Sequence, residues 1–194
     1  MQLILASASP RRREILSGLG IAFTIRTADV DETCDLADPA LRVQNIAARK
    51  CEAVRDAMCR EGSLTEDTVI LAADTLVYQD GCFLGKPADR EDALRMVRSL
   101  AGSVHAVASG VAVYCGGRTV TAAELTEVHF GPMTEEEVEA YVATGEPFGK
   151  AGAYAIQGLA ARYIEGIRGD YFNVVGLPVH RLLTLVRDEF GITL

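Results

Sequence analysis

Val69-Ile70-Leu71-Ala72-Ala73-Asp74-Thr75-Leu76-Val77-Tyr78 runs through Gln79-Asp80-Gly81 into Cys82-Phe83-Leu84. The first ten residues read as an apolar strand, and the turn residues followed by a short apolar run carry the signature of a hairpin. Upstream, strands and helices alternate. Leu3-Ile4-Leu5 reads as a short buried strand, and residues 10–19 as a helix with Ser9 as N-cap and Gly20 just past its end. A second strand is expected over 22–27, then an acidic loop with Asp29, Asp31, Glu32 and Asp35. Asp38-Pro39, a cap followed by proline in the first turn, opens a long helix that ends near Gly62. Downstream, a helix is expected over 89–100, then strands over 104–114 and 119–130 about the turn Cys115-Gly116-Gly117. Thr134 with Glu137 forms a capping box for a helix stopping near Gly145. A glycine-rich segment, a short strand around Tyr163-Ile164 and a last helix over 178–190 complete the chain. Alternation early and hairpins in the middle predict an α/β (α+β) protein with a mixed sheet, not a purely parallel one.

At 194 residues the chain is expected to form one domain over 1–194, built as one core or as two lobes sharing a cleft. Its 49% hydrophobic content excludes intrinsic disorder. Acidic residues outnumber basic ones 27 to 19, a formal charge of −8, which excludes a general nucleic-acid binder because the average field repels phosphate. Any anion must therefore be held by a local basic pocket. Five scattered cysteines form no C-x-x-C pair and read as reduced thiols. The N-terminal apolar stretch precedes Arg11-Arg12-Arg13, the wrong order for a signal peptide. No apolar run approaches the roughly 20 residues needed to cross a bilayer, so no membrane association and a cytoplasmic location are expected.

Three places break their local pattern, and such breaks concentrate at functional sites. In Ser7-Ala8-Ser9-Pro10-Arg11-Arg12-Arg13, three arginines crowd the first turn of a helix, where the dipole disfavours cations. They form either a solvated basic turn or an anion site in which serine hydroxyls, free N–H groups and guanidiniums converge, with phosphate the expected anion. Asp74 interrupts an apolar strand and needs a cation, a metal or a cleft, as a structural ion pair or as a metal ligand or general base. Lys50 lies in the middle of the helical stripe Val43, Ile46, Ala47, Val54 and Ala57. Lysine can snorkel from such a face, yet the chain holds only three lysines against sixteen arginines. A second, Lys86, sits in the stiff loop Gly85-Lys86-Pro87, and a compact ammonium suits a point contact to a phosphate oxygen. The run of small residues from Gly149 to Gly158 lets backbone approach a ligand. His105, His129 and His180 are isolated and read as structural, and no P-loop, G-x-S-x-G or H-E-x-x-H motif occurs.

Two carboxylates, Glu32 and Asp74, with the cations Arg11, Arg12, Lys50 and Lys86, are what metal-assisted phosphoanhydride hydrolysis uses. On residues alone the reading stops at a phosphate-ligand enzyme with a divalent metal. Leu5-Ala6-Ser7-Ala8-Ser9-Pro10-Arg11-Arg12, Val30-Asp31-Glu32, Ala48-Arg49-Lys50, Ala72-Ala73-Asp74-Thr75, Gly85-Lys86-Pro87, Lys150-Ala151-Gly152-Ala153-Tyr154, Ile156-Gln157-Gly158 and Val175-Gly176-Leu177-Pro178, in this order, resemble the Maf family of nucleoside triphosphate pyrophosphatases.

The resemblance implies an elongated two-lobed fold with a nucleotide cleft, similar to inosine-triphosphate pyrophosphatases. It implies a cytoplasmic enzyme that uses Mg²⁺ or Mn²⁺ to convert a nucleoside triphosphate to the monophosphate and pyrophosphate. Position by position, Asp74 matches the proposed proton acceptor, and Ser7, Arg12, Glu32, Lys50 and Lys86 match phosphate- and metal-site residues, with Glu32 and Asp74 as metal ligands. Arg11, Thr75 and Gln157 resemble the branch acting on dTTP, UTP and modified pyrimidine nucleotides; the 7-methyl-GTP branch has tryptophan where Arg11 stands. Gln157 can offer a donor and an acceptor to a uracil or thymine edge. Family members often form homodimers. The family was first named for inhibiting septum formation, which makes a non-catalytic nucleotide-binding regulator of cell division the alternative function.

Overall fold

The computed structural model describes residues 1–194. The strands are β1 (Gln2–Leu5), β2 (Thr24–Ile25), β3 (Thr68–Gln79), β4 (Cys82–Leu84), β5 (Val104–Cys115), β6 (Arg118–Phe130) and β7 (Ile164–Arg168). The helices are α1 (Pro10–Gly18), α2 (Pro39–Arg60), α3 (Arg90–Leu100), α4 (Glu135–Ala143), α5 (Tyr171–Val175) and α6 (Val179–Phe190). The strand order is β2-β1-β3-β5-β6-β7, with β4 also on β3. β1 pairs parallel with β2 and β3, while β3–β4 and β6–β7 are antiparallel, so the sheet is mixed, as expected. No helix is long and apolar enough to cross a membrane, and all five cysteines are free thiols.

Local chemistry accounts for most boundaries. The Asp38 carboxylate accepts from the Leu41 N–H at 2.9 Å, a cap worth about 1 kcal/mol. The Thr134–Glu137 capping box is complete in both directions. The β3–β4 turn passes through Asp80 and Gly81, both with positive φ, the type I′ geometry that matches strand twist. Three expectations change. β2 is two residues long rather than six, because only Thr24 and Ile25 register with β1 and both are exposed. Ser9 stands at the N-cap of α1, but its side chain makes no capping bond. The strand expected around Tyr163-Ile164 begins at Ile164, after a 3₁₀ helix over Leu159–Tyr163.

The chain forms two compact units. The first comprises Met1–Asp74, Ser109–Glu124 and Gly176–Leu194. Its core gathers Ile4, Ile70, Ala72 and Ala112 from strands with Ala47, Cys51, Val54 and Met58 from α2. Cys51 and Met58 belong to the buried face, whereas Ala57 is only half-buried. Burial pushes the Cys51 thiol up to about 12, so it packs as an inert small hydrophobe. Gly110 of β5 permits the close approach of α2: a Cβ there would lie 2.5 Å from the Val43 carbonyl carbon.

The second unit comprises Thr75–Ala108 and Leu125–Val175, with a core of Val77, Leu84, Leu94, Val97, Leu100, Val128, Phe130, Val138 and Tyr141 among others. His105 is 3% exposed there, its Nε2 is 2.8 Å from the Tyr154 hydroxyl, and its Nδ1 has no hydrogen-bond partner. Burial, with a smaller contribution from His129, pushes its pKa from 6.5 down to about 4. The folded protein thus keeps the ring neutral while the unfolded chain takes up a proton below pH 6.5. This contribution is fully present above about pH 6.5 and is lost as pH falls toward 4, on the order of 3 kcal/mol. Urea unfolding of His105→Phe is expected to show a shallower stability loss across that window than the wild type; an unchanged slope would contradict this account.

Candidate active site

The site in the first unit is built where β1 runs into α1 and where α2 packs against β3. Ser7 and Arg12 are both buried although polar. Arg12 Nη1 donates to Ser7 Oγ at 2.9 Å, and its Nε donates to the Gly176 carbonyl at 2.9 Å. Ser7 Oγ also accepts from the Ser9 N–H at 3.3 Å. Burial pulls the Arg12 pKa down, opposed by the fields of Asp74 and Glu32, and the guanidinium stays charged. Of the other two arginines, Arg11 is half-buried and Arg13 faces solvent.

Asp74 is 9% exposed near the middle of β3. Lys50 Nζ donates to its Oδ1 at 2.7 Å and lies 2.8 Å from Glu32 Oε1. The Lys50 and Asp74 side chains keep only 18% and 13% of their exposure, while Glu32 keeps 58%. Glu32 is carried by a loop that is locked locally. Arg49 donates to the carbonyls on either side of it, Asp31 and Thr33, at 2.8 Å each. The Asp31 carboxylate accepts from the Thr33 hydroxyl at 2.7 Å and its N–H at 2.9 Å, bonds that hold its pKa below the ordinary value. Consecutive residues of α2 therefore divide the work: Arg49 fixes the loop backbone and Lys50 receives its carboxylate.

The structure brings together Ser7, Arg12, Glu32, Lys50 and Asp74. Lys50 is neither a simple snorkelling lysine nor a lone phosphate contact in this state, because it joins the two acids proposed as metal ligands. Thr75 follows Asp74 along β3 and is half-buried; it opens the second unit, which also holds Lys86 and Gln157, both exposed. Sequence reasoning assigned no role to Arg49 or to the Gly176 carbonyl. The proximity of Arg49 to Lys50 was a signal for the first, whereas a backbone acceptor 164 residues from Arg12 leaves none.

No group of three or more His, Cys, Asp or Glu side chains is placed so that it could hold a metal ion by itself. Glu32 and Asp74 nevertheless place carboxylate oxygens within 2.8 Å of one cationic nitrogen. Two converging carboxylates fit Mg²⁺ or Mn²⁺, which takes one or two from protein and completes its shell with phosphate and water oxygens.

The chain is 48% identical to a dTTP/UTP pyrophosphatase of Pelotomaculum thermopropionicum, covering 98% of this chain and 97% of that protein. It is 48% identical to one of Symbiobacterium thermophilum, over 98% and 94%. It is 45% identical to one of Alkaliphilus metalliredigens, over 100% and 98%. Among solved structures it is similar to a nucleoside-triphosphatase / dITP/XTP pyrophosphatase from Mycobacterium abscessus, at 16% identity and a TM-score of 0.45, over 99% of this chain and 100% of that one. Residues 2–189 match the family described as Maf-like protein. The motifs quoted from the sequence, the relatives of matching length and this family match agree: the chain belongs to the Maf-like protein family.

Proposed function

We propose that this chain is a nucleoside triphosphate pyrophosphatase that hydrolyses dTTP and UTP, and modified pyrimidine nucleotides of the same shape, to the monophosphate and pyrophosphate. The observation that carries this reading is the pair of carboxylates meeting at Lys50 beside a buried, charged Arg12. The relatives named dTTP/UTP pyrophosphatase supply the substrate.

In this reading Asp74 is the general base. Its carboxylate takes a proton from water as the water oxygen bonds to the α-phosphorus and the α–β bridging bond breaks, releasing pyrophosphate. Arg12, braced by Ser7 and Gly176, presents a fixed guanidinium to phosphate oxygens, so little reorganisation accompanies the reaction. Lys50, Lys86 and Arg11 add positive charge for the triphosphate, which the net charge of −8 would otherwise repel. Glu32 and Asp74 would hold Mg²⁺ or Mn²⁺, which when bound neutralises charge on the phosphate chain. Lys50, bonded to both carboxylates in the structure, would offer its ammonium to a phosphate oxygen of the triphosphate. Thr75 and Gln157 read the base, Gln157 by pairing its amide with the pyrimidine edge.

Pyrophosphate release from dTTP or UTP with added Mg²⁺ or Mn²⁺ tests the activity; binding without turnover would instead mark a nucleotide-responsive regulator. Gln157→Glu replaces a donor with a second acceptor. It is expected to reduce the preference for dTTP and UTP over purine triphosphates about tenfold while changing turnover less. Equal loss on every triphosphate would mark Gln157 as scaffold.

A further inference from the structure

Gln157 occupies the third position of the turn Ala155-Ile156-Gln157-Gly158, closed by the Gly158 N–H donating to the Ala155 carbonyl at 3.0 Å. Within this turn Ala155 is buried and Ile156 packs against the core of the second unit, whereas Gln157 is exposed. Here both ends are fastened. On the N-terminal side Tyr154 is buried, with its hydroxyl 2.8 Å from His105 Nε2. On the C-terminal side the Glu146 carboxylate crosses over to the chain beyond the turn. Its Oε2 accepts from the Leu159 N–H at 2.8 Å, and its Oε1 accepts from the Ala160 N–H at 3.2 Å and from the Tyr141 hydroxyl at 2.9 Å.

Glu146 is itself braced. Its N–H donates to Thr144 Oγ1 at 3.2 Å, and its carbonyl accepts from Lys150 Nζ at 2.5 Å. The carboxylate lies so close to Gly158 that a Cβ at that position would sit 2.3 Å from Oε2 and 2.5 Å from Cδ. No other L-residue fits without displacing one of them. Burial pushes the Glu146 pKa up, but the bonds from Leu159, Tyr141 and Ala160 prevail and lower it. The acceptor therefore remains an anion, and bonds to an ionised acceptor are about twice as strong as neutral ones.

We infer that Glu146 is a positioning residue for Gln157: by tying the Leu159 and Ala160 N–H groups to the end of α4, it holds the turn so that the amide meets the base in one orientation. The inference rests on the assignment of Gln157 to the base. An amide distinguishes a pyrimidine edge only while its donor and acceptor stay in place, and a loosened support costs selectivity before it costs chemistry. Glu146 touches neither substrate nor reacting atoms in this scheme.

The test measures kcat and KM for dTTP, UTP and dGTP with the full-length wild type, Glu146→Gln, Gln157→Glu and the double variant. Glu146→Gln keeps the side chain's size but loses its charge and turns an amino group toward a donor. KM for dTTP and UTP is expected to rise about tenfold, the loss of one charge-assisted bond. In the same variant kcat should stay within about threefold and dGTP hydrolysis should be unchanged. The double variant should be no less selective than the more affected single one, since both act through one side chain. Equal losses on all three substrates, or additive losses of selectivity, overturn the inference while a selective defect in Gln157→Glu still upholds the base assignment. A Gln157→Glu variant with unchanged selectivity overturns both. If Glu146→Gln does not fold, Tyr141→Phe deletes one of the three bonds without loss of bulk: a smaller pyrimidine-selective rise in KM supports the inference, and a uniform drop or no change overturns it.

Discussion

A folded Asp74→Asn variant is expected to lose at least about a hundredfold in turnover on dTTP and UTP, the low end of what a general base contributes. The substitution is nearly isosteric, so β3 should keep its register and an amide oxygen remains to accept from Lys50. What disappears is the charge. Asp74 breaks a strand that is otherwise apolar from Val69 to Tyr78, apart from Thr75, and only 9% of it is exposed. A fold has no need of a carboxylate there, since a well-packed apolar residue is commonly as stable as a buried ion pair. Unfolding curves and pyrophosphate release measured on one preparation separate the two roles. Near-normal hydrolysis by a variant with wild-type stability would reject Asp74 as base.

Lys50→Met should destabilise the protein as well as inactivate it. The ammonium is 2.7 Å from Asp74 and 2.8 Å from Glu32, so its removal leaves a buried carboxylate without its nearest cation and exposes two like charges to each other. Breaking such a pair costs about 3 kcal/mol, the lower end of the range for buried pairs, because these side chains keep some contact with water. In chelator-treated samples the urea midpoint should fall accordingly, with no change in the slope of the transition. Added Mn²⁺ should recover more stability in Lys50→Met than in the wild type, since the acids no longer have a competing internal cation. Unchanged stability without metal would show that Asp74 does not depend on Lys50, and equal Mn²⁺ effects would argue against Glu32 and Asp74 as the metal ligands. These expectations concern stability, so they are separate from any loss of turnover.

Much of this architecture was already legible in one dimension. The Asp38 cap, the Thr134–Glu137 box and the Asp80-Gly81 turn each involve residues within a few positions of one another, where backbone geometry leaves few alternatives. The apolar stripe of α2 and the apolar run of β3 likewise announced which faces would be buried, and Lys50 and Asp74 stood out because they violate those patterns. Glu32 could be placed in a loop but not aimed: its direction follows from Arg49, which holds the carbonyls on both sides of it. The 3₁₀ helix over Leu159–Tyr163 escaped detection because Glu146, rather than a side chain at its own start, satisfies its first N–H groups.

Sequence alone thus determined the alternating elements, the mixed sheet, the anomalous residues and, through their ordered motifs, the family. Tertiary structure decided which anomalies meet. Lys50 and Asp74 are 24 residues apart and Arg12 and Gly176 are 164 apart. Short-range preferences fix dihedral angles over a turn or two, whereas those long-range pairs exist only once helix and strand faces have packed and brought distant charges within bonding reach.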